Sequence, residues 1–223
     1  KAIGLILEER SVNTVGNEGL GEEILDQISE KHEAEYRKEK NLVWEMRSIK
    51  TSEEIARIKK ACKIGEIGLK RAEESIEPGK TEREVTAEIE YEMRKEGSDG
   101  TPFKTIVASG KNSRFPHTQP GEKEIEEGES VVVDLGASWK SYNSDMTRTF
   151  LVSPTPEQKE LFRIAKRAHE AGMEKVRAGI DAVEVDEAAR EVFREHDYEE
   201  FYLHGIGHGV GLDIHEPPTL SPS

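Results

Sequence analysis

The chain has 223 residues and a formal net charge of −14, with 46 acidic residues against 32 basic ones. This sign argues against nucleic acid and anionic membranes as partners, because both carry excess negative charge themselves. Hydrophobic residues make up 34% of the chain, and their amount and periodicity exclude a disordered protein. Cys62 is the single cysteine, which excludes a disulfide framework and predicts a cytoplasmic protein.

The start of the chain predicts the end of an N-terminal domain followed by a linker. Residues 2–7 predict a buried strand, residues 22–36 a polar helix and residues 42–49 a connector. A segment of this length cannot bury a core alone. We therefore expect 1–48 to be the remnant of a domain whose front is absent, and 49–223 to be a second domain.

The second domain has clear helix and strand signals. Thr51 and Thr81 each open a capping box, Thr155 precedes a proline at a tolerated first helical position, and Asp181 is a helix cap. Helices are predicted to follow all four residues. Strands are predicted at 103–107, 130–134 and 146–152, with a loop at 109–121.

A repeat with an offset of 100 residues relates two parts of this domain. Residues 79–94 align with residues 179–194, and each copy leads into a short strand and a glycine-containing loop with histidines. This order predicts two related α/β halves with a site between them. Two strands follow the histidine loop of the first half, whereas the chain ends at Ser223, so we expect the second half to be cut before its hairpin.

Two aspartates flank a predicted hairpin and are candidate metal ligands. Asp134 ends a run of three valines, and Asp145 lies eleven residues later at the entrance of the next strand. If the strands pair, both carboxylates lie at one end of the sheet, where they suit divalent Mn, Co or Zn. The spacing equally allows a structural role, in which Asp145 pairs with Arg148 and Asp134 caps the turn at Gly136.

A glycine-rich segment supplies candidate histidines. Four glycines between residues 205 and 211 disfavour a helix and favour a strand that approaches its partner closely. The segment matches neither the zinc motif H-E-x-x-H nor the dinucleotide motif G-x-G-x-x-G. We expect the histidines of the loop and strand regions to be functional, and the other three to lie on helices without a functional role. The functional candidates are His117, His204, His208 and His215.

Taken together, these segments resemble the Xaa-Pro dipeptidase (prolidase) and Xaa-Pro aminopeptidase family of metallopeptidases. The segments are Phe103-Lys-Thr-Ile-Val-Ala-Ser-Gly110, Pro116-His117, Val133-Asp-Leu-Gly136, Asn143-Ser-Asp145-Met-Thr-Arg-Thr149 and His204-Gly-Ile-Gly-His208-Gly-Val-Gly-Leu-Asp-Ile-His215-Glu216. The resemblance covers residues 40–223. It implies an α+β pita-bread fold with pseudo-twofold repeated halves, the second truncated, after the tail of an N-terminal α/β domain.

The resemblance also implies a metal site and its surrounding residues. Family members carry five metal ligands, and three match here: Asp134, the bridging Asp145, and His208. The other two are glutamates on later strands, so we expect the natural chain to continue past Ser223. The implied catalytic and substrate-binding residues are His117, near the leaving group or free amine, and His204 and His215, which would donate to the carbonyl oxygen.

The implied activity is hydrolysis of Xaa-Pro bonds, in dipeptides or at peptide N-termini, by a hydroxide held between two divalent ions (Mn, Co or Zn). The implied partners are short proline-containing peptides and a second copy of the chain in a homodimer. Two alternatives stay open: a catalytically inactive pita-bread module that binds peptides or proteins, and a metal-free C–N hydrolase of the creatinase type. Asp134, Asp145 and His208 disfavour both, because such relatives typically lack the metal residues.

Overall fold

The computed structural model describes residues 2–39 and 41–221. The chain divides into two compact units, Lys1–Ile49 and Lys50–Ser223, a division one residue beyond the domain boundary that we expect from the sequence. Within the described part of the chain, every helix is too short or too polar to span a bilayer.

The described residues of the first unit form three helices and a small parallel sheet. The strands pair in parallel, with Thr14 opposite Glu35. The elements are α1 (Ala2–Glu9), β1 (Thr14–Asn17), α2 (Glu22–Ser29), β2 (Glu35–Lys38) and α3 (Leu42–Ser48).

Two predictions for the first unit are wrong, and a third is right only in part. Residues 2–7 lie in helix α1 rather than a buried strand, because a short apolar run has no period that separates the two structures, and Glu8 and Glu9 extend it as a helix. The helix predicted at 22–36 ends at Ser29, since the chain then turns to pair β2 with β1. The predicted connector at 42–49 is helix α3 up to Ser48.

The second unit begins with two helices packed on a three-stranded antiparallel sheet. Helices α4 (Ser52–Ser75) and α5 (Glu82–Lys95) begin at the predicted capping boxes, in which both reciprocal bonds form. The sheet has the order β3-β4-β7. Its strands are β3 (Ile106–Ser109), β4 (Ser130–Leu135) and β7 (Met146–Leu151). The buried core between helices and sheet comprises Ile64, Ala72, Val85, Ile89, Met93, Val107, Ile125, Val131, Val133, Leu135 and Ala137.

The remaining elements complete the second unit. A short hairpin joins β4 to β7, and two further helices pack on each other around Ile164, Ala168, Ala189 and Val192. A two-stranded antiparallel ribbon follows these helices. The elements are β5 (Ser138–Trp139), β6 (Tyr142–Asn143), α6 (Pro156–Lys175), α7 (Ala182–Arg194), β8 (Gly207–Gly209) and β9 (Glu216–Leu220), with single 3-10 turns at Gly110–Arg114 and Glu199–Phe201.

The predicted repeat is present in the order of the secondary structure. Each half of the second unit has two packed helices and then a strand. The turn between the helices contains Gly79 with φ +89° in the first half and Gly179 with φ +83° in the second. Glycine adopts this left-handed conformation without the steric cost that a side chain adds. The 100-residue offset therefore reflects two turns of the same backbone geometry.

Candidate active site

The hairpin of β4 and β7 places two aspartates at the same end of the sheet. The strands are antiparallel, with Asp134 opposite Thr147, and Asp145 directly precedes β7. The Thr147 hydroxyl donates a hydrogen bond of 2.8 Å to Oδ1 of Asp134. Arg148, which the structural alternative pairs with Asp145, instead donates to the carbonyl oxygen of Thr147 at 2.7 Å.

The environment of Asp134 disfavours its charged form. Burial raises the pKa of Asp134, and the neighbouring Asp145 carboxyl group raises it further through charge repulsion and hydrogen bonding. The Thr147 hydrogen bond and the nearby His208 lower the pKa. Among the described residues, neither aspartate forms an ion pair with a lysine or arginine. Two adjacent carboxyl groups without such a partner favour the binding of a cation.

The ribbon of β8 and β9 brings two histidines to Asp145. Nε2 of His208 lies 3.3 Å from Oδ2 of Asp145, and the ring of His215 packs edge-on against that of His208, with centroids 4.3 Å apart. One ligand atom from each of the three side chains lies within 4.8 Å of the others. One carboxylate oxygen and two imidazole nitrogens form a donor set that suits zinc and other first-row transition metals.

The hydrogen bond at Nδ1 of His208 makes the other ring nitrogen, Nε2, an acceptor that faces Asp145. Nδ1 of His208 lies 2.9 Å from the carbonyl oxygen of Gly209. Because a carbonyl oxygen can only accept, Nδ1 carries the proton. In the neutral ring Nε2 is then unprotonated and presents a lone pair. This lone pair faces a carboxylate oxygen, so the contact is favourable when a cation lies between them or when the ring is protonated. The donor set of Asp145 and His208 thus fits a divalent metal.

Glycines between the histidines allow the two backbones of this ribbon to approach each other closely. A Cβ atom on Gly209 would lie 2.4 Å from the carbonyl oxygen of Pro217, and one on Gly205 would lie 2.4 Å from that of Leu220. The predicted close approach of two backbones is therefore found. A register shift between His208 and Gly209 alters the strand at the histidine itself.

A cavity of about 550 Å³ adjoins Asp134, a volume in the usual range for small-molecule sites. Asp134 lines it together with His117 and His204, whose exposed side chains come from different loops. The rest of its lining is largely apolar. The cavity is lined by Ile106, Ala108, Ser113, Phe115, Pro116, His117, Val132, Asp134, Thr147 and His204.

The structure brings the six candidate residues into two adjoining groups. One group lines the cavity, the other is the potential ligand cluster, and Asp134 beside Asp145 joins them. The first group is His117, Asp134 and His204, and the second is Asp145, His208 and His215. Thr147 and Phe115 also belong to the site, although no sequence pattern predicts a functional role for them. The hairpin register could have identified Thr147, once the length of the intervening turn was known.

The sequence is similar to those of known peptidases. Residues 56–223 match the metallopeptidase family M24. The chain is 42% identical over 215 residues to an Xaa-Pro dipeptidase from Pyrococcus furiosus, covering 95% of this chain and 62% of the relative. It is 44% identical over 188 residues to an Xaa-Pro dipeptidase from Pyrococcus horikoshii, covering 84% of this chain and 54% of the relative.

Solved structures show the same similarity. The prolidase from Pyrococcus furiosus superposes with a TM-score of 0.86 at 43% identity, covering 94% of this chain and 63% of that one. An X-Pro aminopeptidase from Thermotoga maritima MSB8 superposes with a TM-score of 0.90 at 34% identity, covering 99% of this chain and 64% of that one. The chain therefore spans less than two thirds of the length of these relatives.

Proposed function

Because the chain belongs to metallopeptidase family M24, we propose that it hydrolyses the bond between an amino acid and proline in dipeptides or at the N-termini of short peptides. The resemblance predicted from the sequence is confirmed, and so is the α+β pita-bread fold. The names of the relatives at 42% and 44% identity, Xaa-Pro dipeptidases, support this substrate class.

The contact between Asp145 and His208 is the observation that carries this proposal. Nε2 of His208 faces Oδ2 of Asp145 at 3.3 Å while Nδ1 of the same ring donates to a carbonyl group. A divalent cation satisfies both acceptors. We assign Asp134, Asp145 and His208 as metal ligands. The ring of His215, which clusters with Asp145 and His208, would lie near a metal held by these residues.

Two divalent ions, Mn, Co or Zn, would activate a water molecule for attack and polarise the scissile carbonyl group when bound. The chain's own residues bind and orient the peptide. His117 and His204 face the cavity, and the ring N–H of His117 can donate to peptide carbonyl or carboxylate oxygens. Nδ1 of His204 lies 2.9 Å from the carbonyl oxygen of Gly205, so His204 would contact the peptide through Nε2. His215 and His204 would stabilise the negative charge that develops on the carbonyl oxygen.

The apolar wall of the cavity supports proline as a substrate residue. Phe115 and Pro116 precede His117 in the same loop and line the cavity with Ile106 and Val132. A prolyl ring is apolar and lacks a backbone N–H, so it packs against such a wall without leaving a donor unsatisfied. As a partner we propose a short proline-containing peptide. A homodimer is the assembly that the family resemblance implies, and the single cysteine favours a cytoplasmic location.

Metal-dependent hydrolysis of Gly-Pro by the natural protein tests the proposal. We expect Mn²⁺ to support release of proline and a chelator to abolish it. The Asp145→Asn variant should lose both metal and hydrolysis, because it removes a charged ligand while keeping the side-chain size. The matched control is Asp197→Asn, a substitution of an exposed residue with φ +59°, which asparagine tolerates.

The outcomes separate the alternatives. Full activity in a chelated sample would exclude a metallopeptidase. Binding of Gly-Pro without turnover at saturating Mn²⁺ would indicate the inactive binding module instead. Comparing Gly-Pro with Gly-Pro-Pro then decides between a dipeptidase and an aminopeptidase.

A further inference from the structure

We propose that Glu82 is a positioning residue for His117, because its buried carboxylate holds both ends of the loop that carries this histidine. The inference rests on the proposed function, in which His117 contacts the substrate. Glu82 is the first residue of helix α5 and is fully buried. It does not line the cavity and touches none of the three assigned metal ligands in the described structure.

Glu82 accepts hydrogen bonds from both ends of the loop. At one end, the backbone N–H and the hydroxyl of Ser109 donate to Oε1 at 2.8 and 3.0 Å. The amide of Asn112 donates to both oxygens, at 3.0 and 3.2 Å. At the other end, the backbone N–H of Gly121 donates to Oε2 at 3.2 Å. One carboxylate thus joins β3 to the far end of the loop.

These partners are neutral, which sets Glu82 apart from a structural ion pair. Within the described residues, no lysine or arginine forms a salt bridge with it. A buried carboxylate is costly unless hydrogen bonds satisfy it, and only an ionised carboxylate accepts at both oxygens without donating. A carboxylate suits this position because it accepts hydrogen bonds from several donors of the loop at once.

His117 depends on its backbone for its position. Its side chain is exposed, and no hydrogen bond to its ring is found in the described structure. Residues 110–121 lead from β3 past the cavity, so displacing either end moves Phe115 and His117 along the cavity wall. Glu82 acts on the substrate only through this loop.

The second half of the unit contains a similar arrangement, which supports this role. Asp186, fully buried in helix α7, accepts hydrogen bonds from the Tyr202 hydroxyl at 2.8 Å and the Ile206 backbone N–H at 3.1 Å. These donors flank His204. Unlike Glu82, Asp186 also pairs with Arg190.

The test compares Glu82→Gln with Glu88→Gln in the natural, metal-loaded protein. Both substitutions replace a carboxylate by an amide on helix α5, but Glu88 bonds Lys80, Arg71 and Ser75 and makes no contact with the loop. In Glu82→Gln the amide NH₂ faces loop donors. We expect faster hydrogen exchange in residues 110–121 and about a tenfold fall in kcat/KM for Gly-Pro, with unchanged metal content. Glu88→Gln should change neither loop exchange nor kcat/KM.

A double-mutant cycle with His117→Ala identifies the route of the effect. If Glu82 acts through His117, then Glu82→Gln has no further effect on kcat/KM once His117 is alanine. An undiminished effect in that background, or unchanged loop exchange in Glu82→Gln, would overturn the positioning role. If Glu82→Gln does not fold, Asn112→Ala removes a single loop donor instead. We then expect the same two effects, faster hydrogen exchange in the loop and a lower kcat/KM, but each smaller. Absence of Gly-Pro hydrolysis in the unsubstituted protein would refute the proposed function, whereas the exchange measurement would still test the loop contact.

Discussion

Thr147 supports the candidate metal site, although it is not itself one of the proposed metal ligands. Its hydroxyl donates to Oδ1 of Asp134 at 2.8 Å across the hairpin and lowers the pKa of that carboxyl group. The bond also fixes the direction in which the carboxylate presents its other oxygen. Groups that hold metal ligands in this way commonly change metal affinity when they are replaced.

The Thr147→Val variant keeps the shape of the side chain and removes the hydroxyl. We expect its affinity for Mn²⁺ or Zn²⁺ to fall about tenfold, because Asp134 loses both orientation and support for its charged form. Titration calorimetry measures the change. The matched control is Thr149→Val on the same strand, opposite Val132. Equal metal affinity in the Thr147→Val variant and the unsubstituted protein would show that the hydroxyl does not support the site.

Helices in the second unit are more predictable than elements in the first because their signals are local. Thr51 and Thr81 bond the third residue of their own helix, so the sequence alone locates both helix starts. Residues 2–7 offer no such signal, and a strand prediction there is wrong. Strand β3 begins at Ile106 rather than the predicted residue 103, since its limits are set by pairing with β4.

Glu88 links helices α4 and α5, and this link predicts a pH dependence of stability. Its carboxylate lies 2.7 Å from Nζ of Lys80 on the turn and 2.6 Å from the hydroxyl of Ser75, and it also pairs with Arg71. Lys80 and Ser75 lower the Glu88 pKa from 4.5 to about 2. Because the folded pKa is lower than the unfolded one, the carboxylate stabilises the fold above about pH 4.5. This contribution is lost as the pH falls towards 2.

Glu88→Gln should therefore lower the free energy of unfolding by about 1 kcal/mol at pH 7, a value reduced for partial solvent screening. The difference from the unsubstituted protein should shrink as the pH falls below 4.5 and should vanish only below about pH 2, where the Glu88 carboxyl group is protonated in both the folded and the unfolded state. Urea denaturation followed by circular dichroism at several pH values measures it. A difference that stays constant with pH would mean that the loss comes from packing and not from charge.

At the scale of the whole second unit, the sequence predicts the separate segments of the site more readily than the way in which they come together in space. The hairpin that holds Asp134 and Asp145 follows from two apolar strands and their short connection. The approach of His208 and His215 to Asp145 joins distant parts of the chain. No periodicity or capping signal fixes how the ribbon of β8 and β9 packs against that hairpin, so this placement was expected only from the family resemblance.

This convergence predicts that metal binding stabilises the second unit. Asp145 belongs to the first half of the repeat, whereas His208 and His215 belong to the second, so a bound cation would connect the halves in the native state only. At a free metal concentration 100 times the Kd, the gain is about 2.7 kcal/mol. For a unit of this size, the gain corresponds to a rise in Tm of roughly 5–10 °C. Calorimetry with Mn²⁺ and with a chelator should show this rise in the unsubstituted protein and in Asp197→Asn, but not in Asp145→Asn. An equal rise in Asp145→Asn would mean that the metal binds elsewhere, and the ligand assignment would then be wrong.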